Sequence, residues 1–119
     1  MNQAQALALS IIIELTVALG LCAAWGPAAH GGLRRVTLTA LAATLLTHPF
    51  AWWALPALAG HLPRLVRILL VEGGVAVVEG LLYARLGGLS LGRGQVVGWV
   101  ANAASFGVGL VIFWWARQG

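Results

Sequence analysis

Only three residues of this chain carry a side-chain carboxyl group: Glu14, Glu72 and Glu79. Each interrupts an apolar run (11–21, 68–78 and 75–82), while the intervening segments carry arginine and no acid. A charged residue at the centre of a membrane-spanning helix costs roughly 2.5–3.5 kcal/mol on insertion scales. Hydrogen bonds between helices average about 0.6 kcal/mol and reach about 2, too little to offset several such insertions. Packing alone is therefore a poor reason for these residues, and chemistry is the better one. His48, Asn102 and Ser105 lie in the remaining apolar segments. Two carboxylates and an imidazole can ligate a divalent cation, so Glu14, His48 and Glu72 form a candidate metal set, with Asn102 or a water completing the shell. The same groups can pass protons, since carboxyls and an imidazole take them up and release them.

Four helices must position these groups. Hydropathy and turn residues place membrane spans at about 6–25, 36–55, 65–84 and 96–115, each close to the twenty residues a bilayer requires. Glycine and proline mark the links at 26–35, 56–64 and 85–95, which are short enough to make successive helices antiparallel neighbours. Pro49 falls inside the second span and should kink it, freeing the carbonyl of Leu45, with Thr44 and Thr47 at hand to satisfy the backbone. Trp25, Tyr83 and Trp99 fall at one membrane level, and Trp52, Trp53, Trp114 and Trp115 at the other, as interfacial anchors do. The first span has no basic residue before it and Glu14 within it, so it is expected to be retained rather than cleaved as a signal peptide.

Residues three, four and seven apart share a helix face. Glu72, Glu79 and Tyr83 share one on the third helix, flanked by Gly73, Ala76 and Gly80, whose small size admits a neighbouring backbone. The fourth helix carries Gly98, Asn102, Ser105 and Gly109; the second Thr37, Thr44 and His48; the first Ser10 and Glu14. These polar faces should turn inward. From the rise per residue, Glu14, His48 and Glu72 lie roughly 2–4 Å from the midplane toward the side of the chain's start, and Glu79 and Asn102 roughly 5–7 Å to the other side. Two layers are expected, Glu–His–Glu and Glu–Asn, with Ser105 and Thr44 between them.

Composition bounds the class. The chain has 119 residues, 61% hydrophobic and 8% charged, with a mean hydropathy of +0.92, against about 25% charged in soluble proteins. Its length suits one four-span domain. The net charge of +4 comes from seven arginines and no lysine. They lie in links and at span ends, which points to lipid headgroups and away from nucleic acid. Arg64, Arg67 and Arg117 face Arg34, Arg35, Arg85 and Arg93 across the membrane, so the charge bias that sets orientation is weak. The single Cys22 forms no internal disulfide and reads as a small apolar residue. His30 and His61 fall in links and are expected to be solvated.

The run Thr44-Leu-Leu-Thr47-His48-Pro49, then Glu72-x6-Glu79-x3-Tyr83, then Asn102-x2-Ser105-Phe106-x2-Gly109 resembles small four-helix membrane proteins of bacteria that carry no assigned activity. In that pattern the position of Thr44 is often Asn, and that of His48 is His or Asn. The resemblance covers nearly the whole chain. It implies a bacterial inner membrane and is silent on substrate. Length, the first-helix glutamate and the balanced arginines are superficially similar to small multidrug-resistance transporters. Those lack the second and third membrane glutamates, and their third-helix aromatic and glycine pattern is absent here.

The expectation is an all-α, polytopic four-helix bundle in the lipid bilayer that moves a proton, a cation or a small solute. Glu14, Glu72 and Glu79 would bind charge, assisted by His48, Asn102 and Ser105. Four short helices enclose little space, so a homo-oligomer or a partner membrane protein is expected. Two alternatives stay open: an accessory, non-catalytic subunit docking through small-residue faces, and a metal-dependent intramembrane enzyme acting on a lipid-linked substrate. Enzyme motifs are otherwise lacking: no nucleophile triad, no HExxH, and no P-loop lysine at Gly31-Gly32 or Gly87-Gly88.

Overall fold

The computed structural model describes residues 2–118. Among the described residues there are four α-helices, α1 (Gln3–Trp25), α2 (Leu33–Ala57), α3 (Arg64–Leu86) and α4 (Leu91–Gln118), with a short 3₁₀ turn (Pro27–Ala29) after α1. Every helix runs beyond the span read from hydropathy, for a local reason. Asn2 caps α1 through a reciprocal pair: its side chain accepts from Gln5 N at 2.8 Å, and the Gln5 side chain accepts from Asn2 N at 3.1 Å. α2 passes through Pro49 and keeps Pro56 in its last turn, where the missing amide deprives Trp52 O of its helical donor. In that turn Arg67 donates from Nη1 to Leu55 O at 3.0 Å, closing the C-terminus of α2 against α3. α4 starts in the segment read as a link because Ser90 caps it, its hydroxyl accepting from Arg93 N at 3.2 Å.

The helices form a ring in which α1 and α3 each pack against α2 and α4, while the diagonal pairs stand apart. The extents of 45 × 32 × 19 Å fit two layers of helices about 10 Å thick. At the end away from the chain's start, Gly31 N donates to Gly87 O at 2.9 Å and Arg35 Nε to Leu86 O at 2.9 Å, tying the first link to the C-terminus of α3. Gly88 has φ +74°, and a Cβ there would lie 2.6 Å from Gly31 N, so the two links meet backbone to backbone. His30, expected in solvent, is half-buried and accepts from Gly32 N at 2.9 Å.

Size, more than polarity, sorts these residues. Alanines fill much of the interior (Ala18, Ala40, Ala43, Ala76, Ala101), whereas Leu46, Leu65, Trp53, Trp114 and Trp115 are exposed. Small residues let helices approach, and large apolar ones on the outside suit a hydrocarbon solvent. The contact between α3 and α4 is the tightest. A Cβ on Gly98 would lie 2.6 Å from Ala76 O and from Gly80 N, and one on Gly94 would lie 2.6 Å from Gly80 O. Gly94 and Gly98 of α4 thus lie on the Ala76–Gly80–Ala84 face of α3.

Three of the four helices, α1, α2 and α4, are long and apolar enough to cross a membrane. α3 has the length but carries Arg64, Arg67, Glu72, Glu79 and Arg85, and is more polar than the other three. Of the four expected spans, three have the length and apolarity that a membrane crossing requires.

Candidate functional site

The half of the bundle nearer the chain's start encloses a cavity of about 250 Å³. All six candidate residues, Glu14, His48, Glu72, Glu79, Asn102 and Ser105, line it. Its far end is closed by a cluster of Ala18, Cys22, Val36, Ala40, Tyr83, Leu89 and Val97. The site is a cup with a plugged base.

The deepest groups are Glu14 and Glu79, both 2% exposed. Each carboxyl has the other as a near neighbour across the cup, although α1 and α3 do not pack together. Two carboxyls brought together in this way share a hydrogen bond when a proton lies between their oxygens. Tyr83 Oη donates to Glu14 Oε2 at 3.3 Å. Thr47 Oγ1 lies 2.8 Å from Ala43 O and 3.2 Å from Glu79 Oε1. With one hydroxyl proton, Thr47 can give to either acceptor and take from a protonated Glu79.

Higher in the cup, Ser10 Oγ sits 2.9 Å from Ser105 Oγ and 3.4 Å from His48 Nδ1, linking α1, α2 and α4. The His48 ring lies 5.9 Å from that of Trp52, centroid to centroid. On the opposite wall Asn102 Nδ2 donates to Glu72 O at 2.9 Å, and its amide is also within reach of the Glu72 carboxyl. Ser10→Ala removes the bridging hydroxyl. It should cost about 0.6–1.7 kcal/mol, the range of interhelical polar contacts in membranes. A double-mutant cycle with Ser105→Ala in thermal unfolding should recover that coupling, and additive losses would show the bridge to be absent.

The expected layering does not hold. Glu14 pairs with Glu79, not with His48 and Glu72, and Asn102 pairs with Glu72, not with Glu79. Glutamate side chains reach along the bundle axis, so backbone depth does not fix carboxyl depth. Among the described residues no group of three His, Cys, Asp or Glu side chains is placed to hold a metal ion. Glu14, His48 and Glu72, the candidate metal set, line the same cavity with different neighbours: Glu14 beside Tyr83, His48 beside Ser10, and Glu72 beside Asn102. Tyr83 is a further correction. Read as an interfacial anchor, it is fully buried on Glu14. Its place four residues after Glu79, on one face, was the signal for this.

Three cavity-lining atoms have no hydrogen-bond partner: Thr44 Oγ1, His48 Nε2 and Glu79 Oε2. A buried polar atom left so costs about 1–3 kcal/mol. Three of them around one space suit a ligand that brings donors and acceptors. No arginine lines the cavity, so its carboxyls face no fixed cation.

Comparison with protein-family models, curated proteins and solved structures finds no match to this chain.

Proposed function

We propose that this is an integral membrane protein, with α3 crossing alongside the three more apolar helices, that moves a proton, a cation or a small solute by protonating and deprotonating the Glu14–Glu79 pair. One observation carries this reading: every carboxyl side chain of the protein converges on one cavity that no arginine lines. The polar side chains of α3 that interrupt its apolar run, Glu72 and Glu79, line that cavity rather than facing outward. Lipid then meets Leu65, Leu69, Val77, Val78 and Leu81, which are exposed. A bacterial cytoplasmic membrane is the proposed location, from the motif resemblance.

In the proposed cycle a proton or a donor-bearing solute enters from the open half of the cup and exchanges at Glu79, whose Oε2 is unpartnered. Tyr83 and Glu14 hold the other side of the pair. The apolar plug at the base blocks passage in this conformation. Release to the far side requires the helices to part there, or a second copy inserted in the opposite sense, which the nearly balanced arginines permit. For the accessory-subunit alternative, Ala76 and Gly80 are covered by α4 of the same chain, so docking would use other small residues such as Gly74, Gly107 and Gly109, which meet nothing within 4 Å.

The test is the thermal midpoint of the purified protein from acid to alkaline pH, for wild type and for Glu14→Gln, Glu72→Gln and Glu79→Gln. A pH-dependent midpoint that flattens in Glu14→Gln or Glu79→Gln is expected. Superimposable curves would leave the glutamates as packing groups and favour an accessory subunit.

A further inference from the structure

A second hollow, of about 320 Å³, lies on the outer surface between α2 and α3. Exposed Leu46 and Phe50 form one wall, and exposed Gly74 and Val78 the other. Its floor is Thr47 and Val75, both buried and both also lining the carboxyl cavity. One layer of side chains therefore separates the outer surface from Glu79, and Thr47 in that layer lies 3.2 Å from Glu79 Oε1.

Two features of the sequence make this place. Gly74 keeps the hollow open, since a Cβ there meets nothing within 4 Å. Pro49, between Leu46 and Phe50, removes the amide hydrogen that Leu45 O would otherwise accept, so α2 is most easily bent at this wall. Leu46 and Gly74 fall near the middle of their helices, at the depth where a bilayer offers only hydrocarbon. Each wall is about one helical turn high, from 46 to 50 and from 74 to 78. A partner helix about 10 Å across needs several turns of contact, whereas a hydrocarbon chain needs one. Apart from the Thr47 hydroxyl, the lining side chains are apolar.

We propose that this hollow is a side entrance from the bilayer for an amphiphile. Its hydrocarbon part lies between α2 and α3, and its hydrogen-bond-donating head, an amine or an alcohol, passes between Thr47 and Val75 to Glu79. The unpartnered Glu79 Oε2, Thr44 Oγ1 and His48 Nε2 are the groups that receive the head. This rests on reading the cavity as a ligand site and adds the class of ligand and its route.

The experiment is carboxyl labelling by dicyclohexylcarbodiimide, an apolar reagent that dissolves in bilayers, on the protein in phosphatidylcholine vesicles, with the adduct located by mass spectrometry. Glu79 is expected to be labelled. Gly74→Leu, which fills the hollow and touches nothing in the cavity, should slow labelling at least about tenfold, a barrier higher by about 1.4 kcal/mol. Phe50→Ala, which widens the hollow, should speed it, giving an independent reading should Gly74→Leu fold poorly. A water-soluble carbodiimide, entering by the cavity mouth, should react equally with wild type and Gly74→Leu. Dodecan-1-ol should protect Glu79 in wild type and not in Gly74→Leu. Equal dicyclohexylcarbodiimide rates in wild type, Gly74→Leu and Phe50→Ala would overturn the side entrance. So would protection by ethanol as effective as by dodecan-1-ol, and so would disulfide dimers of Gly74→Cys, which would put a second copy in the hollow. Flux plays no part in these readouts, so a protein that labels as expected and transports nothing keeps the entrance and loses the transport reading.

Discussion

Glu79→Gln is expected to abolish uptake of protons or solute while leaving the protein folded. In vesicles the flux should fall at least about tenfold, corresponding to about 1.4 kcal/mol in the limiting barrier. Glutamine keeps the size of the side chain and can still bond to Thr47, but it cannot release a proton at neutral pH. The Glu14–Glu79 contact would then persist as an amide–carboxyl bond with nothing to exchange. Thermal unfolding should shift little, because both carboxyl-sized groups still fill the base of the cup. Tyr83→Phe makes the informative comparison: it deletes the donor to Glu14 Oε2 and leaves both carboxyls, so flux should fall by less than in Glu79→Gln. Full flux in Glu79→Gln would remove this residue from the mechanism. Loss of fold in Glu79→Gln would show the pair to be structural.

Gly98→Leu should cause the largest loss of stability of any single change discussed here. A Cβ at this position would sit 2.6 Å from two backbone atoms of α3, Ala76 O and Gly80 N. Backbone within a packed helix cannot turn aside as a side chain can, so α3 and α4 must move apart. Overpacking of this kind typically costs about 1–3 kcal/mol, and occasionally more. The separation would also draw Asn102 from Glu72 O and distort the cavity wall, so Gly98→Leu should lose activity through its fold. Gly107→Leu on the same helix is the control. A Cβ there meets nothing within 4 Å, and its thermal midpoint should stay near that of wild type. Equal midpoints for Gly98→Leu and Gly107→Leu would contradict the close approach of α3 and α4.

Much of this architecture is legible in the sequence. Apolar periodicity and turn residues located four helices, and the stripes Ser10–Glu14, Thr44–His48, Glu72–Glu79 and Asn102–Ser105 marked the faces that line the cavity. What was misread was punctuation. Gly92 and Gly94 looked like a link, and Pro56 like a stop, because local propensity favours both readings. Gly94 instead lies in α4 because its missing side chain is what α3 packs against, and Pro56 is tolerated in a last turn whose carbonyls find other partners. Tyr83 was misplaced because an aromatic near a helix end usually marks an interface. Here the inward face of α3 overrides that tendency.

The sequence by itself determined which residues face one another, since a 3.6-residue period and the cost of a carboxyl in hydrocarbon leave polar groups no other direction. Only the tertiary structure decided which of them bond. That choice depends on how far each helix slides along its neighbours. A shift of three residues moves a group by about 4.5 Å, more than the whole length of a hydrogen bond. The pairing of Glu14 with Glu79 across the diagonal, and the division of the candidate metal set among three walls, were settled at that scale.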